Sequence, residues 1–351
     1  MKQRVDLSLV TWLLFGCFLI FLMVVIGGIT RLTKSGLSIV EWDLVMGAIP
    51  PLNQEEWMVM FNKYKQFPEY QKLHYHFTLS DFKSIFWWEY LHRLIGRLIG
   101  LVFIVPFIYF WVKGRISKSL MPKLLIIFAL GAFQGFLGWY MVKSGLVDKP
   151  YVSHYRLAIH LVAAFTTFAY TFWVALTEIY KNKKLTIPIQ PFLKKLTVAF
   201  LVVLAVQIIY GAFVAGLKAG YVYTTWPKMG DQWIAEGVTA MQPWYVNFIE
   251  GLAGVQFLHR YIAYVLVVLA AIIWYKARKL NLVKSQQYGV NLLVGMVLLQ
   301  VLLGILTLIW SVPISLGVIH QAGAFILLAF NIYLLHQLSH QKKEAPELVA
   351  A

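Results

Sequence analysis

Four histidines stand at corresponding places in long apolar runs: His92 in "EYLHRLI", His160 in "LAIHLVAA", His259 in "QFLHRYI" and His320 in "GVIHQAGA". A buried imidazole is either a hydrogen-bonded interior group or a metal ligand. Taken singly, each reads better as the former. The repeated placement of four predicts ligation in two pairs, His92 with His160 and His259 with His320. Haem iron takes an axial ligand on each face, and helical bundles house it in their cores. Zinc fits poorly, because thiolate or carboxylate partners at metal-binding spacing are lacking. One turn beyond each histidine comes a small residue: Gly96, Ala164, Ala263 and Ala324. A macrocycle lying on the helix needs that room, although small residues also serve plain transmembrane helix contacts. The loop histidines His74 and His76, and His154 at the head of the fourth apolar run, read as solvated.

A carboxylate accompanies only one of the pairs. Glu89 lies three residues before His92, hence on the same helix face. The residue 167 positions later, at the place that Glu89 holds in the repeat, is Gln256. An amide has nearly the same shape but carries no charge and passes no proton, so the asymmetry assigns chemistry to the first half. The competing reading of Glu89 is a salt bridge to Arg93 or Arg97 across helical turns. Arg93 and Arg260 directly follow His92 and His259, where a guanidinium fork suits a haem propionate. Snorkelling toward lipid headgroups is the plainer role for both. Arg97 sits one turn deeper, and the second half has Tyr264 in its place.

Such residues need apolar elements to hold them. The 351-residue chain is 60% hydrophobic and 13% charged, which places it among polytopic membrane proteins. Eight apolar runs of about 20 residues each suffice to cross a bilayer core: 9–30, 86–111, 122–142, 154–178, 192–216, 255–275, 287–310 and 314–336. The first has no small-residue cleavage site and reads as a retained helix, and the absence of an Arg-rich leader favours a bacterial chain. The net charge of +16 is not a nucleic-acid signal. With the N-terminus inside, 17 of the 31 Lys and Arg fall on the inner side and 10 of the 15 acids on the outer side. That is the positive-inside pattern, with both termini cytoplasmic. The lone Cys17 forms no internal disulfide.

The chain also repeats itself. Gly36 and Trp42 after the first span recur as Gly220 and Trp226 after the fifth, 184 residues later. "QGFLG" from Gln134 recurs as "QVLLG" from Gln300, and His160 recurs as His320 at an offset of 160. The expected architecture is all-α, with eight transmembrane helices in two tandem four-helix bundles related by a pseudo-two-fold repeat. The halves are 1–185, which carries the long outer loop 31–85, and 186–351. All four histidines fall about six residues inside the outer ends of their spans, roughly 9 Å deep at 1.5 Å per residue.

The segments "GGITRLTKSGLSIVEW", "GAIPPLNQEEW", "KYKQFPEYQK" and "FKSIFWWEYLHRLIGRLIG" resemble the haem A synthase family, in particular the branch shared by mitochondria and alpha-proteobacteria. The resemblance spans nearly the whole chain, and its most specific part is the E-x-x-H-R element of the second span. It implies oxidation of the C8 methyl group of haem O, through an alcohol stage, to the formyl group of haem A, which serves terminal oxidases. It also implies that His92 and His160 hold the substrate haem in the first half, that His259 and His320 hold a haem b cofactor in the second, and that Glu89 is needed for catalysis. Some bacterial members carry a cysteine pair in outer loops, which this chain lacks.

The partners that follow are haem O, the lipid bilayer, an electron donor and, as supplier of the substrate, haem O synthase; nucleic acid is not among them, and a homo-oligomer stays open. The expected location is the inner membrane of a bacterium, with the haem sites near its outer face. The alternative is a di-haem membrane cytochrome b that transfers electrons without modifying its haem. A transporter would need polar groups along the inner halves of the spans, and "VLVVLAAIIW" and "LVFIVPFIYFW" are nearly devoid of them.

Overall fold

The computed structural model describes residues 5–41, 46–145, 151–181, 185–186, 190–339 and 341–342. Among the described residues, eight helices are long and apolar enough to cross a membrane. They are α1 (Leu7–Leu32), α3 (Leu79–Val112), α4 (Met121–Gly145), α5 (His154–Tyr180), α6 (Pro191–Leu217), α7 (Leu252–Ala277), α8 (Lys284–Ile309) and α9 (Ile314–Ser339). A ninth helix, α2 (Gln54–Tyr64), lies in the loop between α1 and α3. The ends are set by local chemistry. Asp6 caps α1 by accepting a hydrogen bond from Leu9 N, and Pro191 occupies the first turn of α6, where its missing N–H costs nothing.

Helix α3 departs from its expected start. The hydropathy of the chain places it at residue 86, but the helix begins at Leu79, with a capping box in which Thr78 and Asp81 satisfy each other's backbone. The added turns alternate polar and apolar residues and so escape a hydropathy reading. Their apolar side is Phe82 and Ile85, which pack with Phe86 against Trp57, Phe61 and Tyr64 of α2. His92 therefore stands further from its helix start than the other three histidines do from theirs. Trp57 is buried in this cluster; Trp42, which takes part in the repeat, lies outside the described residues.

Helices α1, α5, α6 and α9 form the middle of the molecule: α1 packs on α5 and α9, and α6 packs on the same two. Phe165, Phe168, Phe200, Phe325 and Leu334 belong to the large apolar cluster at their centre. Helix α3 packs on α1 as α7 does on α6, and α4 packs on α5 as α8 does on α9. A two-residue parallel pair, Leu185–Thr186 with Gln341–Lys342, joins the loop after α5 to the chain after α9, so the ends of α5 and α9 lie on the same side.

Candidate functional site

The His259 and His320 rings face one another across α7 and α9, their centres 6.4 Å apart and their planes at 84°. Two metal–imidazole bonds of about 2 Å, plus roughly 1 Å from each ring nitrogen to its ring centre, span about 6 Å. The pair is therefore spaced for one metal held between two nitrogens. In the other half, His160 stands within electrostatic reach of His92. All four histidines keep a buried Nδ1 without a hydrogen-bond partner. An interior histidine held by a neighbour would have one. A hydrogen bond to a neighbour therefore does not account for these four ring nitrogens.

Neighbouring helices set the rings. A Cβ on Gly27 of α1 would lie 3.0 Å from His92 Cε1, one on Gly211 of α6 3.3 Å from His259 Cε1, and one on Gly304 of α8 2.9 Å from His320 Cε1. At each of these positions glycine lets an imidazole edge lie on a helix backbone. The histidine carbonyls are held as well: Gln134 Nε2 donates to His160 O at 3.3 Å, Gln207 Nε2 to His259 O at 2.9 Å and Gln300 Nε2 to His320 O at 2.8 Å. These glycines and glutamines were not singled out as site residues in the sequence. Their signal was available in the repeats, since Gly27 and Gly211 share the 184-residue offset of Gly36 and Gly220. Of the small residues after the histidines, Gly96 is exposed, and a Cβ there would meet only Met23 Cε at 3.3 Å. Ala164 instead packs against the central apolar cluster, as an ordinary helix contact.

Glu89 is 2% exposed and held by three hydrogen bonds. Its Oε2 accepts from Ser38 Oγ at 2.7 Å and from Ile39 N at 2.8 Å, and its Oε1 from Arg93 Nη2 at 2.6 Å. Arg93 also donates to the carbonyls of Ile39 and Glu41. The second half repeats the clamp without the charge. Gln256 donates to Tyr223 O, and Arg260 to the carbonyls of Tyr223, Thr225 and Lys228. Both arginines thus tie the segment after α1 or α6 to the helix that carries a histidine, a task neither propionate binding nor snorkelling had suggested. A carboxylate offers about four acceptor positions, so Glu89 keeps one beyond the three in use.

Two of the histidines expected in solvent are not there. His74 is 6% exposed and His154 8%. His154 Nε2 is hydrogen-bonded to Ile249 O at 2.9 Å, which ties α5 to the loop before α7. His76 is exposed as expected. Arg97 lies half-buried in α3, one turn inward of Arg93.

Fold and site together define a polytopic membrane protein whose core carries two sets of paired histidines, one with a carboxylate beside it. A family model described as "Cytochrome oxidase assembly protein", COX15-CtaA, matches residues 10–332. The chain belongs to this family. It is 53% identical to the protein named "Heme A synthase" of Flavobacterium psychrophilum, over 95% of this chain and 98% of that one. It is 48% identical to the "Heme A synthase" of Nitrosomonas eutropha, over 93% of each chain, and 41% identical to that of Wolbachia pipientis, over 94% of this chain and 92% of that one.

Proposed function

We propose that the chain oxidises haem O to haem A, converting the C8 methyl group to a formyl group through the alcohol. The observation that carries this reading is the difference between two otherwise parallel sites: a buried, ionisable Glu89 clamped beside His92, and the uncharged Gln256 clamped beside His259. The half formed by residues 1–185 is the substrate half, with His92 and His160 as the ligands of haem O. The half formed by 186–351 is the cofactor half, with His259 and His320 holding haem b. When bound, haem iron supplies the oxidative and electron-transfer chemistry. The protein's own part is to hold, orient and manage protons. Gly27, Gly211 and Gly304 seat the imidazoles, and the glutamines fix the helix turns that bear three of them. Glu89 presents a negative charge at the substrate, where it takes up a proton or stabilises positive charge developing at the methyl group. Arg93 and Arg260 hold the capping segments over the substrate and cofactor haems.

The protein is a multi-pass component of a bacterial inner membrane, with its haem sites toward the outer face. An electron donor and the enzyme that makes haem O complete its working partners. The reaction is tested by expressing the chain in membranes supplied with haem O and a reductant, then extracting and separating the pigments with mass detection. Haem A or its hydroxylated precursor is expected. Haem b accompanied by unchanged haem O would favour the electron-transferring cytochrome instead.

A further inference from the structure

The outer loop hides a second carboxylate. Glu69 is 5% exposed and Glu89 2%, and among the described residues these are the two buried carboxylates. Glu69 precedes a π-helical turn, Tyr70–His74, a departure from regular helix often found at functional sites. The hydroxyl of Tyr64, the last residue of α2, donates to Glu69 Oε2 at 3.2 Å and is hydrogen-bonded to His74 Nδ1 at 2.7 Å. Tyr64 is 0% exposed. Beyond His74 stands His76, exposed and within electrostatic reach of it. Glu89 acts electrostatically on both Glu69 and Tyr64. A hydrogen-bonded line of groups that exchange protons thus runs from His74, through the buried Tyr64, to Glu69, with His76 within electrostatic reach of one end and Glu89 of the other.

The loop after α6 is built from short 3₁₀ turns, and its acids Asp231, Glu236 and Glu250 are all exposed. Glu250 does meet Tyr155 and His154 of α5, but among the described residues the buried carboxyls are Glu69 and Glu89, both in the first half.

We propose that His74, Tyr64 and Glu69 form a proton relay between the outer aqueous phase and Glu89, and that Glu69 is the proton-holding group of the reaction's outer side. The proposal rests on the reaction proposed above. In each passage the His74 Nδ1 proton moves to the Tyr64 oxygen as the Tyr64 hydroxyl proton moves to Glu69 Oε2. As the Nδ1 proton leaves, His74 takes up one at Nε2 from the side of His76 and water, so the ring stays neutral, and Glu69 releases one proton toward Glu89. One proton enters, one leaves, and nothing is oxidised or reduced. The charged and titratable groups around the line are Glu89 of α3, Lys34 of the segment after α1, Tyr70 of the π-helical turn, and His76. Burial first, then the nearby Glu89, raises the Glu69 carboxyl to about 8, and the Tyr64 hydrogen bond and then Lys34 offset only part of this. Glu69 thus holds its proton at neutral pH and can give it up, while the Glu89 carboxyl is held by Arg93.

The test uses the full-length protein in membranes, as wild type, Glu69→Gln and Tyr64→Phe. Infrared titration of the protein without turnover is expected to show a buried carboxylic-acid band at pH 7 that disappears near pH 8 and is missing in Glu69→Gln. Haem A formation is expected to fall about ten-fold in both variants at unchanged haem O affinity. The alkaline decline of the wild-type rate near pH 8 should vanish in Glu69→Gln. A wild-type protein without the band, or a Glu69→Gln variant with the wild-type rate and pH profile, would overturn the relay. A wild type that retains the band but makes no haem A would overturn the reaction on which the relay depends.

Discussion

At the scale of single residues, the decisive comparison is internal to the molecule. Gln256 shows that an amide fits the clamp that Glu89 occupies, because Arg260 keeps its carbonyl partners beside it. Glu89→Gln is therefore expected to fold and to bind haem O with unchanged Kd while losing at least about a hundred-fold in turnover, the range of a lost proton-transfer group; optical titration and product analysis measure the two separately. Gly27→Ala acts differently, since its Cβ would press on the His92 ring at 3.0 Å. Haem O affinity should fall about ten-fold, or about 1.4 kcal/mol, with the optical spectrum of the second-half haem unchanged. The histidines and Glu89 were legible in the sequence because an ionisable group in an apolar run announces itself. Gly27, Gly211 and Gly304 were not, because a glycine in a membrane helix has many ordinary uses and only the ring lying against it reveals this one. Tyr64 and Glu69 were hidden for a related reason: loops are read as solvated, and burial beneath α2 cannot be inferred from composition.

Among elements, close approach governs. A Cβ on Gly216 of α6 would collide with the Cα and Cβ of His154 at the head of α5. Gly216→Ala should therefore separate the outer ends of these helices and cost about 1–3 kcal/mol, the usual price of overpacking, visible as a lower melting temperature in detergent. The outer loop should respond to pH through Glu69. Its folded carboxyl titrates near 8 against an ordinary value of 4.5. Between those values the folded loop keeps a proton that the unfolded chain releases, so loop stability falls as pH rises across that window. Hydrogen exchange of residues 64–74 should quicken from pH 5 to pH 8 beyond the intrinsic rate, and Glu69→Gln should flatten that excess. Helix existence was legible from hydropathy. The early start of α3 was not, because its first turns are sheltered by a neighbouring helix rather than by lipid, a tertiary effect that a hydropathy window does not register.

At the scale of the whole molecule, helix packing in one half corresponds to helix packing in the other. The apolar runs, the offset motifs and the charge asymmetry together predicted eight helices with repeated placement of four histidines, and the helix packing pairs correspond across that repeat. The repeat offsets were readable because the motifs lie on helices and length differences fall in the loops. The proposed division of labour rests on Glu89 against Gln256, together with a loop whose fold only the structure reveals. The division of labour is therefore the central claim, and a haem inventory by mass detection of wild type, His92→Ala and His259→Ala, each expressed with haem O, tests it most directly. His92→Ala is predicted to keep haem b and lose haem O and haem A, whereas His259→Ala is predicted to lose haem b and still bind haem O. Haem A produced by His92→Ala, or bound haem O lost from both variants, would contradict the assignment of substrate and cofactor to separate halves.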